Sequence, residues 1–385
     1  MSAPRLKQLD VIRGLAILGI LLMNIYAFSR PAQFGHLLLW HEGGFSTLDE
    51  WLFNLNQVFI MGRFITLFSL LFGVGMLLIA ERYGMDYLKR RLYWLVLFGV
   101  IHISLIWDGD ILLWYALTGL FFIWRGYLQL DSRQLLRKGL TFFAIGLILP
   151  TLTTLFVLIS NAHPIGILDT EQLAHEIALW TGPLAGQWQQ MLILNLYMLL
   201  GFILCSLWMT LGLMLLGAGL YKSGWFSQGY SGKVTVSLLL AGAIISAAVQ
   251  LVDANTGYQL ALNVTLPVSY ITALLMALAY ASLVIRHPSH LLQQWLAPCG
   301  RMAFTLYLSQ SVIMVLLFRV LKPEWFATLD RLPVLGIALG MILLQLLFCR
   351  WYFRHFQQGP LEWLWRRLSK QPVAEVSPAQ QLEQS

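Results

Sequence analysis

A membrane helix bundle, all-α with about ten transmembrane helices, is the fold that this 385-residue chain predicts. Two observations carry the prediction. Long apolar stretches recur from end to end, so that 58% of residues are hydrophobic and only 11% charged, far from the balance of a soluble domain. The charges between those stretches alternate in sign from one gap to the next.

A helix needs roughly 17–25 apolar residues to cross the hydrocarbon core. Stretches of this kind fall near 12–29, 57–80, 92–107, 111–124, 140–160, 191–220, 234–252, 264–285, 302–321 and 332–353, the third and fourth being short. Arg5 and Lys7 precede the first. Lys89, Arg90 and Arg91 follow the second, and Arg125, Arg133, Arg137 and Lys138 follow the fourth. Lys222, Lys233, Arg286, Arg301, Arg350 and Arg354 continue the series, whereas the intervening gaps hold Glu42, Asp49, Glu50, Asp108, Asp110, Asp169, Glu171, Glu176 and Asp253. Lys and Arg collect on the cytoplasmic side, so both termini are expected there. The opening run is too long, and too charged at its mouth, for a signal peptide core, and reads as a retained helix.

Residues 1–370 read as a single integral-membrane domain. It ends in an interfacial helix near 359–369, where Trp363 and Trp365 mix with Arg366 and Arg367. Residues 371–385 read as a disordered cytoplasmic tail. The net charge of +7 follows from the inner-face excess of cations and calls for membrane lipid rather than nucleic acid as a partner. Cys205, Cys299 and Cys349 stand apart, with no disulfide frame or zinc spacing, and no metal is expected. Neither a phosphate-binding Walker loop nor a serine-nucleophile elbow occurs at a credible place, which argues against ATP-driven pumping and serine chemistry.

Four polar clusters interrupt the apolar runs, and in a membrane such residues carry function by default. In the first, Asp10 and Arg13 lie at the mouth of a helix that also bears Asn24. Arg13 and Asn24 are about 20° from a common face and about 16 Å apart along it. Arg13 either snorkels to the interface beside Asp10 or meets a substrate. In the second, Arg63 lies inside a span, where it needs a carboxylate such as Asp108 or a ligand anion. In the third, His102 precedes Trp107-Asp108-Gly109-Asp110 at a tight outer turn. Asp-Gly is ordinary turn chemistry. An imidazole beside two carboxylates is also the composition of a general base. In the fourth, Arg301, Thr305 and Ser309 share one helix face, which lines a cavity or bonds two helices together. His36 and His41 read as loop residues.

These pieces resemble the bacterial YeiB-like inner-membrane family, classed as domain of unknown function 418. The matching residues are Leu9-Asp10 with Arg13-Gly14 through Asn24-Ile25, Thr66-Leu67-Phe68 through Leu71-Phe72-Gly73, His102 with Trp107 to Leu112, Gly300 to Ala303, and Gly359 to Trp363. The opening is also similar to the first helix of acyltransferase-3 proteins and of the heparan glucosaminide acetyltransferase. Such enzymes carry an acyl group from cytoplasmic acyl-CoA to an acceptor across the membrane. The acyltransferase-3 pattern has histidine eleven residues after the arginine; here Asn24 stands there, as in the heparan-enzyme branch, and His102 is favoured over His36 and His41 as the reacting histidine.

The resemblance thus implies a membrane acyltransferase of the bacterial inner membrane, with acyl-CoA as donor. Arg13 and Arg301 would hold its phosphates. His102, oriented by Asp108 or Asp110, would be the general base, and Asn24 and Arg63 would steady the oxyanion. The acceptor would be a small hydroxyl or amine compound such as a glycan, and a homodimer is allowed for. The competing expectation is a transporter with a His/Asp proton relay; a non-catalytic scaffold would leave Arg63 and His102 without a reason.

Overall fold

The computed structural model describes residues 7–31, 46–159, 170–256 and 266–370. Every regular element among them is helical. In chain order these are α1 (Lys7–Ser29), α2 (Thr47–Phe59), α3 (Arg63–Tyr83), α4 (Met85–Leu105), α5 (Leu112–Trp124), α6 (Ser132–Ile159), α7 (Thr170–Thr181), α8 (Leu184–Gly201), α9 (Leu207–Lys222), α10 (Gly232–Thr256), α11 (Leu266–Arg286), α12 (His290–Arg301), α13 (Ala303–Val315), α14 (Arg331–His355) and α15 (Pro360–Ser369). The chain is a polytopic helical membrane protein. Eight helical stretches are long and apolar enough to cross a bilayer, and Leu112–Trp124 and Leu207–Lys222 are shorter apolar helices.

The helices differ from the expected spans where backbone breaks them. The stretch 57–80 divides at Gly62, whose φ of 77° lies in the left-handed region that glycine tolerates, so Arg63 opens α3 within the long apolar stretch Thr47–Tyr83. The stretch 191–220 is a rod in which α8 passes through the π-helical turn Phe202–Ser206 into α9. Arg301 closes α12 and Thr305 belongs to α13, because Met302 interrupts the helix between them. His36, His41 and the tail at 371–385 lie outside the described residues.

α1 runs through the centre, with Ile12, Ala16, Ile17, Ile20, Leu21 and Ile25 all buried. α12 lies across its basic end, where Gly14 and Gly300 bring the two backbones together. α15 packs at that end too, where Glu362 meets the start of α13. α3 crosses α9 at Gly73 and Gly217, each facing the other helix's backbone carbonyl, so a side chain at either would force the pair apart. At the opposite end, α2 starts on Ser46, whose hydroxyl accepts the Asp49 N–H at 3.1 Å. Asp49 Oδ1 in turn accepts the Arg331 N–H at 3.1 Å, and the buried Arg331 guanidinium lies 4.8 Å from the rings of Tyr26 and Phe53. The remaining surface is apolar over long stretches: Leu196, Tyr197, Leu240, Ile244, Leu343 and Leu344 are all exposed, as a lipid-facing belt requires.

Candidate functional site

On α4 the buried residues Leu88, Leu92, Leu95, Gly99 and His102 recur at helical spacing and form one inward stripe. His102 is its last member and is fully buried. Gly99 sits against the backbone of Leu113, and this close approach folds the α4–α5 turn back over the histidine. Asp110 then lies with Oδ1 2.8 Å from His102 Nδ1. Its Oδ2 accepts the Leu113 N–H at 2.7 Å, which caps α5. One carboxylate therefore starts a helix and orients an imidazole. With Nδ1 facing the carboxylate, Nε2 is the basic nitrogen, and it has no hydrogen-bond partner among the described residues. The Tyr307 ring stands 5.3 Å from the imidazole, and its hydroxyl accepts the Ile111 N–H at 3.1 Å.

Asp108, two residues earlier in the turn, does different work. It faces Arg319 at 3.6 Å, whose guanidinium lies 4.1 Å from the Trp180 ring on α7. Trp107 packs on Phe28 at 4.1 Å beside them. The open choice between the two aspartates is thus resolved in geometry: Asp110 meets His102, and Asp108 closes a buried ion pair. Arg319 is a residue that reading the sequence missed. Its signal was an arginine inside the apolar run 316–321, on the same side of the membrane as an acidic turn.

A cavity of about 320 Å³ penetrates the bundle from the basic end. Arg13, Arg91, Arg301 and Arg366 line its mouth, Leu71, Phe72, Met76, Leu92 and Leu95 its shaft, and Ile111, Leu112, Tyr115 and Tyr307 its inner end. Arg13 contacts Asp10 at 3.2 Å. Arg301 donates to the Gln357 carbonyl at 2.6 Å, and Arg91 stacks 3.6 Å from the Trp365 ring. Glu362 of α15 reaches into the same mouth. It accepts the N–H groups of Phe304 at 2.8 Å and Thr305 at 3.1 Å, and the Thr305 hydroxyl at 2.6 Å, so it caps α13 from another helix. Burial raises its pKa above the ordinary carboxylate value, against those hydrogen bonds. Arg13 and Arg301, far apart in sequence, thus share one mouth, and the wall that ends the cavity holds Tyr307 against His102.

Arg63 lies in a separate cluster. It is buried, and donates to the Met61 carbonyl, to Ser246 Oγ on α10 and to Thr272 Oγ1 on α11; Ser246 Oγ and Thr272 Oγ1 are 2.9 Å apart. Asp108, the carboxylate considered for it, is taken by Arg319. Asn24 is buried on α1. The polar and ring contacts of His102 are with Asp110 and Tyr307, so neither Arg63 nor Asn24 is brought to it. Among the described residues no group of three or more His, Cys, Asp or Glu could hold a metal ion.

The family described as "Protein of unknown function (DUF418)" matches residues 220–371. Over 94% of its length the chain is 34% identical to the uncharacterized protein YeiB of Escherichia coli (strain K12), covering 95% of that protein. It is 31% identical to the uncharacterized protein YxaH of Bacillus subtilis (strain 168), with 97% of each chain covered. No solved structure matches.

Proposed function

The chain belongs to the YeiB-like family of proteins of unknown function, DUF418, and from that premise we propose that it is a membrane-bound acyltransferase using cytoplasmic acyl-CoA. The single observation that supports this reading most is one cavity joining a four-arginine mouth to the wall behind which His102 and Asp110 are paired. By the positive-inside rule the mouth faces the cytoplasm, the compartment that holds acyl-CoA, in what we take to be a bacterial inner membrane. Guanidinium groups suit phosphates. The apolar shaft suits a long neutral arm, and the reacting end is withdrawn from water.

In this mechanism Arg13 and Arg301, joined by Arg91 and Arg366, bind the phosphates, and the thioester lies at the inner end. His102 Nε2 takes the proton from an acceptor hydroxyl or amine as its oxygen or nitrogen attacks the thioester carbonyl. Asp110 stabilises the imidazolium that forms. The tetrahedral intermediate collapses, the C–S bond breaks, and His102 returns the proton to the thiolate, leaving free CoA and the acylated acceptor. Tyr307, with its hydroxyl at the cavity's inner end, is better placed than Arg63 or Asn24 to steady the oxyanion, a contribution often of about 2.7–4 kcal/mol.

The test is calorimetric titration of the detergent-purified protein with acetyl-CoA and longer acyl-CoAs, beside an Arg13→Ala/Arg301→Ala variant. Each lost charge-assisted hydrogen bond is worth about 1.5–3 kcal/mol, so affinity should fall at least tenfold in the variant. A folded wild type that binds no acyl-CoA would sink the reading. Proton-coupled flux in proteoliposomes would then establish the competing one, a transporter in which His102 and Asp110 relay protons.

A further inference from the structure

The α3–α4 hairpin turns at Gly84, whose φ of 83° lets the two helices reverse direction within one residue. On either side of it stand Tyr83, the last residue of α3, and Tyr87, in the first turn of α4. Their rings are 4.9 Å apart between centroids and tilted by 38°. Tyrosines near a headgroup region commonly serve as interfacial anchors. This pair does more than meet the headgroups, because both residues line the cavity mouth. Tyr83 is 46% exposed, and the Arg82 guanidinium lies 5.2 Å from its ring, a solvent-side cation that a stacking ligand would displace or share. Arg91, one turn beyond Tyr87, lines the same mouth; it is stacked on Trp365 and hydrogen-bonded to Tyr87, and its Nε is left without a hydrogen-bond partner among the described residues. Arg366 of α15 lines the same mouth.

A π-face with open area, next to guanidinium groups and leading into an apolar shaft, matches a molecule with three parts in order: a planar heterocycle, phosphates and a neutral chain. We infer that Tyr83 and Tyr87 form a base-stacking subsite for the purine ring of a nucleotide-bearing donor, with Arg91 and Arg366 taking the adjoining phosphates. The inference rests on the acyl-CoA reading for the identity of the whole donor. It adds the part of the molecule that is recognised at the tip of the hairpin. Stacking is sequence-tolerant and depends on ring area, so at position 83 phenylalanine should replace tyrosine and alanine should not, whereas the Tyr87 hydroxyl also hydrogen-bonds Arg91 and is kept in the comparison.

The experiment titrates CoA, ADP (nucleotide alone) and pantetheine (chain alone) into purified wild type, Tyr83→Ala/Tyr87→Ala and Tyr83→Phe. Monodispersity and thermal unfolding establish that each variant is folded. Base–aromatic stacking is worth about 1–3 kcal/mol per base, so the alanine variant should bind CoA and ADP roughly 5- to 150-fold more weakly. Pantetheine binding should be unchanged, and Tyr83→Phe, which keeps both rings and the Tyr87 hydroxyl on Arg91, should weaken CoA and ADP far less than the alanine variant does. Wild-type affinity for CoA and ADP in the alanine variant would overturn the subsite while leaving the acyl-CoA reading standing. Binding of ADP that depends on the two rings, in a protein that transfers no acyl group, would keep the subsite and remove the proposed reaction. Failure of the wild type to bind either nucleotide would remove both.

Discussion

The two ends of the bundle handle charge in opposite ways. At the basic end, Arg13, Arg91, Arg301 and Arg366 gather round one opening, and the cations are steadied by rings, by a carbonyl, or by a neighbouring aspartate in the case of Arg13. At the other end, His102 with Asp110 and Arg319 with Asp108 are closed pairs with almost no exposure. Half-buried or exposed cations beside a cavity can exchange their partners for a ligand at less cost than fully buried ones. Buried pairs cannot lose one member without leaving a desolvated charge. On the proposed reading, binding belongs to the first end and chemistry or rigidity to the second.

The strongest way to break it is at His102. General-base catalysis contributes about 10²–10⁴-fold, so His102→Ala should lower acyl transfer by that factor with acyl-CoA affinity unchanged. Asp110→Asn should lose activity with it. Equal loss of donor binding in His102→Ala would place the histidine at the binding end instead. Next in size is Asp108→Ala, which strands Arg319. Breaking a buried pair costs about 3–5 kcal/mol, to be read as a fall in thermal unfolding temperature. Asp108→Ala/Arg319→Met should recover much of that loss. Full stability of Asp108→Ala would show the pair to be dispensable.

The smallest effect sharpens the basic end. The carboxyl of Glu362 is raised by burial, so the folded protein holds its proton more tightly than the unfolded chain. Stability from this group is complete below the ordinary carboxylate range and is lost as pH rises through its folded pKa. The wild-type unfolding temperature should therefore drift down across that window. Glu362→Gln should flatten the drift by at most about 1 kcal/mol, the scale of one hydrogen bond. An identical slope in both proteins would assign the drift to another group.

Much of this was legible in the sequence, for reasons that differ by residue. His102 stood out because an imidazole in an apolar run followed by two carboxylates is locally anomalous. Arg13 and Arg301 were nominated because each sits where a basic loop meets a span. Arg319 was overlooked because an arginine near the end of an apolar stretch reads as an interfacial residue; its burial depends on Trp180, which belongs to a helix far away in the chain. Arg63 was read as lying inside a span, and it does; what the sequence did not show is the break at Gly62 that lets α3 begin at the arginine itself. Glu362 looked like part of an interfacial anchor, and its role as a cap for α13 requires two distant segments to meet.

By itself the sequence determined that this chain is an all-helical, many-spanning membrane protein, where its apolar stretches lie, and which side its cations favour. Those properties follow from length, hydropathy and charge along a line. Only the tertiary structure decided that Asp110 rather than Asp108 holds His102, that Asp108 belongs to Arg319, and that Arg13 and Arg301 share one mouth. Each of those pairings turns on how helices rotate and how closely glycines such as Gly99 and Gly300 let them approach. A one-dimensional pattern fixes which face of a helix is buried, but not which face of which neighbour it will meet.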